Sequence, residues 1–469
     1  MLNILLIIIG KLLSKISNAL NLGSGSTWPG HIALILNKNF IKDILKNSNV
    51  KTVLIAGTNG KTTTGKLIKT ILEYHEKSLP AHWRVFQNQS GANLLNGIAS
   101  SMLLHSSILC ELNYDYAIFE VDENTLPSAI SELIPDYIIL LNLFRDQLDR
   151  YGEIDSIAKK WKESLATLSK NTTLILNADD PLIAFLGKDV KATTKYFGIE
   201  KNSSDASTHQ HASDSVYCPS CSNKLQFNKV YFSHLGDWKC DQCAFKRPKT
   251  DMFKVEFYPL SGIYNKYNTR AAILLAKRIN IDNKVINSAL QNFTPAFGRQ
   301  ETINIDGKKV RIFLSKNPTS FNESLKTVIE LGGPARHVSR ALRGVAGRKN
   351  LLFVLNDRIP DGRDVSWIWD TDIESAINDF KTITVSGDRC YDMGLRIKYT
   401  FNEFQIPNSK FQMNDSMKIK NFKLKIESDL RNAISSALTN TPKSETLYIL
   451  PTYSAMLEVR KILTGRKIL

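Results

Sequence analysis

The sequence predicts an α/β fold with mostly parallel sheets, divided into two or three domains. Strands rich in β-branched residues alternate with segments of helical periodicity in both halves of the chain, which is the pattern of a parallel sheet covered by helices. The 469 residues are 43% hydrophobic and 23% charged, so the chain can bury more than one core. A glycine loop and two cysteine pairs interrupt this pattern and mark candidate functional sites.

The charge of the chain narrows the classes of partner. A formal net charge of +16 calls for an acidic partner, which is nucleic acid, an anionic membrane surface or a phosphorylated substrate. Composition does not choose among these three. Four of the six cysteines form two CxxC pairs, which indicates a metal site in a reducing compartment rather than a disulfide framework. The sequence therefore predicts a cytoplasmic protein.

Residues 1–48 are predicted to form an N-terminal helical segment. The uncharged apolar run at 4–9 is far shorter than the roughly 20 residues that span a bilayer. No basic residue precedes this run, so a signal peptide is not predicted. Apolar residues recur with helical spacing over 5–20, with Lys11 and Lys15 on the other side. Such a helix either docks on its own domain or lies on a membrane surface.

Residues 49–298 are predicted to form the central domain, which opens with the strand "KTVLIAG", a glycine loop and a helix. Gly57 and Gly60 let the backbone approach phosphate oxygens, and the amides at the start of the helix point at them. Lys61 adds a compact positive charge, and the hydroxyl of Thr62 is placed to bind Mg²⁺. The alternative interpretation of the loop is a plain glycine turn. Later strands of this domain also end in polar residues, where an open α/β sheet binds its ligand.

The loop "GTNGKTTT" resembles the nucleotide loop of the Mur ligases and folylpolyglutamate synthases. Those enzymes use ATP to convert a carboxylate into an acyl phosphate, which an amine then attacks. In "FEVDE" the resemblance implies a Mg²⁺-binding glutamate at Glu120, which would act with Thr62. It implies an adenine contact at Asn268 in "YNKYNTRAA" and a nucleotide contact at Arg299 in "FGRQE". The ATP contacts that it implies in the loop, with a catalytic role for the lysine, are Gly57, Thr58, Asn59, Gly60, Lys61, Thr62 and Thr63.

Three further strings are similar to one branch of the Mur ligase family: "NQSGANLLNGIAS", "RDQLDRYGEID" and "DGRDVSWIWD". In the second, Gln147 follows Asp146 where many Mur ligases have an Asp-His pair. Ligases of this branch work in a heterodimer with a GatD-like class I glutaminase subunit. They amidate the α-carboxylate of D-glutamate in the lipid II stem peptide. The resemblance thus implies ATP, Mg²⁺, this partner and a lipid II substrate at the inner face of the membrane. No Cys-His glutaminase motif is visible in the sequence itself.

The cysteine pairs "CPSC" and "CDQC" predict a zinc ribbon inserted in the central domain at about residues 214–250. Four cysteine ligands leave no open position on the metal, so the predicted role is structural. Members of the branch just described carry such a ribbon in the central domain, so the resemblance favours that branch over a folylpolyglutamate synthase-like amide ligase, which stays as one alternative. A zinc-ribbon ATPase that binds nucleic acid is the other, although its aromatic and basic residues are not interleaved and no nucleic acid is expected. The predicted ligands are Cys218, Cys221, Cys240 and Cys243.

Residues 299–469 are predicted to form a Rossmann-like C-terminal domain, because strands with polar ends again alternate with helices. Thr371 and Glu374 have the spacing of a capping box, which predicts a helix that starts at Asp370 and Thr371. Asp364 lies in the turn "DGRD" just before. The resemblance implies that Asp364 lies at the glutaminase interface and completes the Cys-His pair of the partner. The basic stretch 332–350 is either a solvated segment or a phosphate or partner contact.

Overall fold

A computed structural model describes residues 1–19, 27–76, 83–88, 91–146, 154–200, 214–251, 254–331, 349–400, 417–419 and 422–465 of the protein. The strands of this part form two large sheets and one hairpin. The predicted α/β fold class is confirmed. Most of the basic stretch 332–350 and Gln147 lie outside the described residues.

The first sheet belongs to the N-terminal half of the chain. Its strands are β1 (Lys51–Ala56), β2 (Val85–Gln87), β3 (Tyr116–Glu120), β4 (Tyr137–Leu140), β5 (Thr173–Asn177) and β6 (Thr193–Phe197). They are all parallel, in the order β2-β3-β1-β4-β5-β6. The polar residues that follow β1, β3 and β4 therefore meet at one edge of the sheet.

Ten helices of the described chain accompany this sheet. They are α1 (Leu2–Ala19), α2 (Trp28–Leu36), α3 (Phe40–Lys46), α4 (Lys61–Glu76), α5 (Leu95–His105), α6 (Leu126–Leu133), α7 (Ile154–Leu165), α8 (Pro181–Leu186), α9 (Ile263–Arg278) and α10 (Asn283–Gln291). None of the described helices combines the length and apolar character that crossing a membrane requires.

The alternation of side chains along β1 builds a core on each face of this sheet. Leu54 and Ala56 face one core, to which the N-terminal helices contribute. Val53 and Ile55 face the other core, which contains the apolar sides of α4 and α9. Because both faces are covered, the strand is a continuous apolar run rather than an alternating one.

A hairpin and a second sheet follow. The hairpin consists of β7 (Gln226–Phe232) and β8 (Leu235–Lys239), and a cysteine pair precedes and follows it. The second sheet contains β9 (Arg299–Ile305), β10 (Lys308–Phe313), β11 (Lys349–Val354), β12 (Phe380–Ser386), β13 (Met417–Ile419), β14 (Phe422–Ile426) and β15 (Thr446–Pro451). Its helices are α11 (Pro318–Glu330), α12 (Ile373–Ala376), α13 (Cys390–Lys398), α14 (Leu430–Thr439) and α15 (Tyr453–Thr464).

The second sheet has a parallel centre and an antiparallel strand at each edge. Its order is β13-β14-β12-β11-β15-β10-β9. The pairs β9/β10 and β13/β14 are antiparallel, while the four central pairs are parallel. Side chains of β11 again alternate between two cores.

The helix start predicted at Asp370 and Thr371 is wrong. Asp370 ends a 3-10 helix, and the Thr371 hydroxyl donates to the carbonyl of Ile368 at 2.6 Å. Helix α12 begins two residues after Thr371 and has only four residues. The side chain of Asn322 on α11 accepts from the amide of Asp372 and donates to its carboxylate, so a tertiary contact replaces the predicted cap.

Candidate active site

A cavity of about 390 Å³ opens where the carboxyl ends of β1, β3 and β4 face the second sheet. This volume lies in the range of small-molecule sites, roughly 300–1,000 Å³. Side chains from both large sheets and from the hairpin line the cavity. The residues predicted from the sequence that line it are Thr58, Asn59, Gly60, Lys61, Thr62, Thr63, Glu120, Asn268 and Arg299.

The two loop glycines adopt backbone conformations that other residues rarely reach. Gly57 has a φ of 138° and Gly60 a φ of 97°. A Cβ atom on Gly60 would lie 2.1 Å from Oδ1 of Asn268. The loop therefore passes so close to α9 that only glycine fits at this position. Gly57 lies behind the cavity lining, where its carbonyl accepts a hydrogen bond from Lys61 Nζ.

Asn142, which follows β4, holds the loop in place. Its side chain accepts from the amide of Asn59 at 2.8 Å and donates to the carbonyl of Asn59 at 3.0 Å. Its own carbonyl accepts from the amide of Thr58 at 3.1 Å. The Thr58 hydroxyl also accepts from the amide of Phe144 at 3.0 Å. These bonds pre-organise the loop, which leads directly into the start of α4, and a helix start is a favourable place for a phosphate.

Lys61, the first residue of α4, forms an ion pair with Glu123. The distance from Nζ to Glu123 Oε1 is 2.8 Å, and both side chains are largely buried. Burial alone would raise the pKa of Glu123, but Lys61 and then Lys316 outweigh it and hold that pKa below its ordinary value. The pair thus keeps two charges in the cavity wall.

Glu120 ends β3 and is almost fully buried. One carboxylate oxygen accepts from the Thr62 hydroxyl at 2.7 Å, and the other accepts from Gln87 Nε2 at 2.9 Å. Burial raises the pKa of Glu120, and the Thr62 bond and the charge of Arg299 oppose this shift. A hydroxyl and a buried carboxylate at a phosphate loop form a donor set that fits Mg²⁺. Thr62 and Glu120 would hold this ion.

Asp146 does not line the cavity itself but pairs with a residue that does. Asp146 forms an ion pair with Lys316, which comes from the loop between β10 and α11. Within the described residues, Oδ1 of Asp146 is buried without a hydrogen-bond partner. The same is true of Nδ2 of Asn59. Asn59 lines the cavity, and an unsatisfied buried polar atom there is typical of a site that a polar ligand completes.

Asn268 and Arg299 lie on different elements and meet at the cavity. Asn268 is buried on α9 and donates to Oδ1 of Asn265 at 3.2 Å. Arg299 begins β9, at the junction of the two halves of the chain. Burial lowers the pKa of Arg299, and the negative charge of Glu120 opposes this shift.

Asp364 lies outside the residues that line the cavity and is exposed. Its Oδ1 accepts from the amide of Ser366 at 2.8 Å, which is the geometry of an Asx turn. Ile359 and Pro360, a few residues earlier, line the cavity. The segment that carries Asp364 thus runs from the cavity to the surface.

The four paired cysteines converge beside the hairpin. Their Sγ atoms all lie within 4.8 Å of one another. The distance is 3.5 Å between Cys218 and Cys243 and also between Cys221 and Cys240. Sulfur atoms about 2.3 Å from a tetrahedral zinc are about 3.8 Å apart, so the cluster fits a Cys₄ zinc site. Cys110 and Cys390 are buried elsewhere in apolar cores.

Several cavity residues were missed in the sequence, among them Glu123, Asn142, Lys316 and Phe232. Glu123 and Asn142 follow buried strands, so the rule that ligands bind at carboxyl ends of strands could have found them. Lys316 and Phe232 come from the second sheet domain and from the hairpin. No local pattern signals their position, because they reach the cavity only through tertiary packing.

Comparisons with known proteins agree with this geometry. Residues 55–276 match the Mur ligase middle domain, and residues 314–456 match the MurT ligase C-terminal family. The lipid II isoglutaminyl synthase (glutamine-hydrolyzing) subunit MurT of Streptococcus pneumoniae is 29% identical over 95% of this chain and 94% of its own. The MurT subunit of Staphylococcus aureus strain COL is 30% identical over 85% of this chain and 88% of its own. The pseudomurein peptide ligase type C of Methanothermus fervidus is 24% identical, with a TM-score of 0.60 over 91% of this chain and 81% of that structure.

Proposed function

The chain belongs to the MurT family of Mur ligases, and from this membership we propose that it is the ligase subunit of a lipid II isoglutaminyl synthase. It is an ATP-dependent ligase with a role in peptidoglycan synthesis. The finer proposal is that it amidates the α-carboxylate of D-glutamate in the lipid II stem peptide, through an acyl phosphate.

One observation carries this proposal. A phosphate loop with Lys61, the pair Thr62 and Glu120, and Lys316 from the opposite domain converge on a single cavity. The loop amides and two lysines suit the phosphates of ATP, and the buried carboxylate suits the cation that accompanies them. The second domain supplies Lys316 and the far wall, against which a carboxylate substrate would be aligned with the γ-phosphate.

The proposed reaction has two steps, phosphorylation of the carboxylate and displacement of phosphate by ammonia. A carboxylate oxygen of the substrate attacks the γ-phosphorus of ATP, the bond to the β–γ bridging oxygen breaks, and ADP leaves. Ammonia then attacks the acyl carbon and loses a proton, and inorganic phosphate leaves with the former carboxylate oxygen. Lys61 would neutralise charge on the transferred phosphoryl group. Mg²⁺, when bound by Thr62 and Glu120, would neutralise further phosphate charge.

A separate subunit would supply the ammonia. The relatives are named as the MurT subunit of a glutamine-hydrolyzing synthase, and we propose a GatD-like class I glutaminase as the partner of this chain. Asp364 is exposed and has only a local amide bond in the described structure, so its second carboxylate oxygen can serve a partner histidine. The Cys₄ cluster would hold a structural zinc.

An isotope experiment tests the acyl phosphate. Lipid II with ¹⁸O in the D-glutamate α-carboxylate is incubated with the protein, Mg·ATP and ammonium chloride. The proposed chemistry transfers one ¹⁸O to each inorganic phosphate and yields one amide for each ADP. The first step requires this transfer, so unlabelled phosphate alongside amidated product would contradict the mechanism. Absence of any amidated product would contradict the substrate assignment.

A further inference from the structure

Helix α1 exposes an almost wholly aliphatic face. Seven of its large apolar side chains are between 39% and 56% exposed. They recur with the three- and four-residue spacing that places them along one side of a helix. They are Leu2, Leu5, Ile8, Ile9, Leu12, Leu13 and Ile16, and we refer to them as the α1 outer face.

The opposite side of α1 is attached to the protein. Leu6 and Ile7 are buried in the first core. Gly10 lies so close to α5 that a Cβ atom on it would be 2.6 Å from a methyl group of Leu103. Lys11 Nζ also donates to the carbonyl of Ser106, at the end of α5. The helix is therefore held over its first half, and the α1 outer face is apolar surface that the described fold leaves uncovered.

More exposed apolar side chains lie near the start and near the middle of α1. At its start, Asn37 donates to Asn3 at 2.7 Å, and Ile35 and Leu36 just before Asn37 are 64% and 58% exposed. Near Lys11, the loop that contains Ser106 continues into Ile108 and Leu109, which are 61% and 71% exposed. Trp28 at the start of α2 is 69% exposed. This surface exceeds the scattered apolar exposure of ordinary monomers.

The segment that carries this surface is basic in sequence. The first 42 residues contain four lysines and neither aspartate nor glutamate. Asp43, the first acidic residue, accepts hydrogen bonds from Asn3 and Asn37. The chain as a whole carries a net charge of +16. This segment combines an apolar helix face with lysines and has no acidic residue before Asp43. Such a combination complements a membrane surface, which has anionic headgroups outside and an apolar interior.

We propose that the α1 outer face binds the surface of an anionic phospholipid bilayer, with the helix parallel to the membrane plane. An 18-residue helix is about 27 Å long. A helix of this kind lies in the membrane plane and inserts its apolar face about 5–10 Å into the boundary between headgroups and acyl chains. Trp28 is a residue type that favours this boundary. A protein partner is disfavoured as the occupant, since seven aliphatic side chains offer it no polar group to fix an orientation. The inference rests on this surface alone and does not require the proposed ligase reaction.

Vesicle co-sedimentation tests the proposal. The full chain is mixed with phosphatidylglycerol vesicles or with phosphatidylcholine vesicles, both free of substrate. We expect sedimentation with the anionic vesicles, weaker binding to the neutral ones, and partial release by salt. The triple variant Leu5→Ser, Leu12→Ser and Ile16→Ser should bind at least about tenfold more weakly, because it removes exposed apolar area without touching the core.

A matched control removes equal numbers of exposed apolar side chains elsewhere. The variant Tyr217→Ser, Tyr391→Ser and Leu395→Ser should bind vesicles like the wild type. Circular dichroism and nucleotide binding establish that both variants are folded. Equal vesicle binding by the α1 variant and the wild type would overturn the proposal. So would a wild type that ignores anionic vesicles and instead forms dimers that the α1 variant abolishes, since the face would then join two copies of the chain.

Discussion

The Nζ atom of Lys61 lies 2.8 Å from Oε1 of Glu123, in a pair whose side chains are only 11% and 7% exposed. The same Nζ donates to the carbonyl of Gly57. Glu123 thus balances the charge of the phosphate-binding lysine inside the cavity wall. Loss of either partner leaves a buried charge without its nearest counter-charge.

Lys61→Ala should abolish ATP-dependent amidation, because the charge that neutralises the transferred phosphoryl group is lost. It should also lower the melting temperature, since Glu123 then stays buried without its partner. Adding Glu123→Gln should recover part of the stability but none of the turnover. Lys69→Ala, on the solvent side of α4, is the control and should change neither. Product formation and thermal unfolding measure both effects, and near-normal amidation by Lys61→Ala would exclude the assigned role.

Gly60→Ala should weaken nucleotide binding by at least about tenfold, because the new methyl group collides with Asn268 and displaces the loop. Calorimetric titration with ADP measures this loss. Gly465→Ala is the control, since Gly465 also has a positive φ but a Cβ atom on it would meet no other atom within 4 Å. It should cost about 1 kcal/mol of stability and leave nucleotide binding unchanged. Equal ADP affinities of the two variants would contradict the close-approach argument.

Removal of the zinc should weaken nucleotide binding, because the hairpin connects the cysteine cluster to the cavity. Phe232 lines the cavity, and its ring centroid lies 5.7 Å from that of Phe144 and 5.6 Å from that of Tyr267. His234, at the hairpin turn, has Nε2 3.4 Å from Oδ2 of Asp180. The cysteine cluster lies beside the other end of the same two strands. Without metal, the ribbon would no longer hold Phe232 in place in the cavity wall.

Cys218→Ser should therefore release one equivalent of zinc and also weaken ADP binding, because metal-binding energy is folding energy in such a ribbon. Phe232→Ala should weaken ADP binding and retain its zinc. Tyr217→Ala, on the ribbon surface, should change neither. Metal analysis and ADP titration separate the two effects. A wild type purified without zinc would refute the ribbon assignment. Unchanged ADP affinity in Phe232→Ala would refute the claim that Phe232 supports nucleotide binding.

Asp364→Asn should reduce glutamine-dependent amidation by at least about a hundredfold, because a carboxylate that orients a catalytic histidine is lost. Amidation with ammonium chloride should survive, since Lys61 and Glu120 are untouched. The rates are measured on the complex reconstituted with the glutaminase partner. Asp306→Asn, in an exposed turn, is the control and should affect neither rate. If Asp364 only closes its local turn, both nitrogen sources should show equal and modest losses.

Much of the fold was predictable because its signals are local. The run "KTVLIAG" followed by a glycine loop and a helical repeat predicts β1 and α4, since a buried parallel strand needs apolar residues on both faces. The CxxC spacing likewise predicts the cysteine cluster, because two short knuckles bring four sulfur atoms together. The family was predictable for the same reason, because its motifs are short contiguous stretches of sequence. The roles of the individual site residues stay predictions.

Other features depend on contacts between distant segments, which no local pattern encodes. The cap predicted at Asp370 and Thr371 does not form, and the contact of Asn322 with Asp372 takes its place at the start of α12. The pairing of Lys316 with Asp146 required two sheets to close over one cavity, and Phe232 reached that cavity only because the hairpin folds back onto the first domain. For α1, the sequence by itself predicted an apolar helix with Lys11 and Lys15 on the other side. Only the packing of Gly10 against Leu103 decided which face is buried, and therefore which face remains open to a membrane.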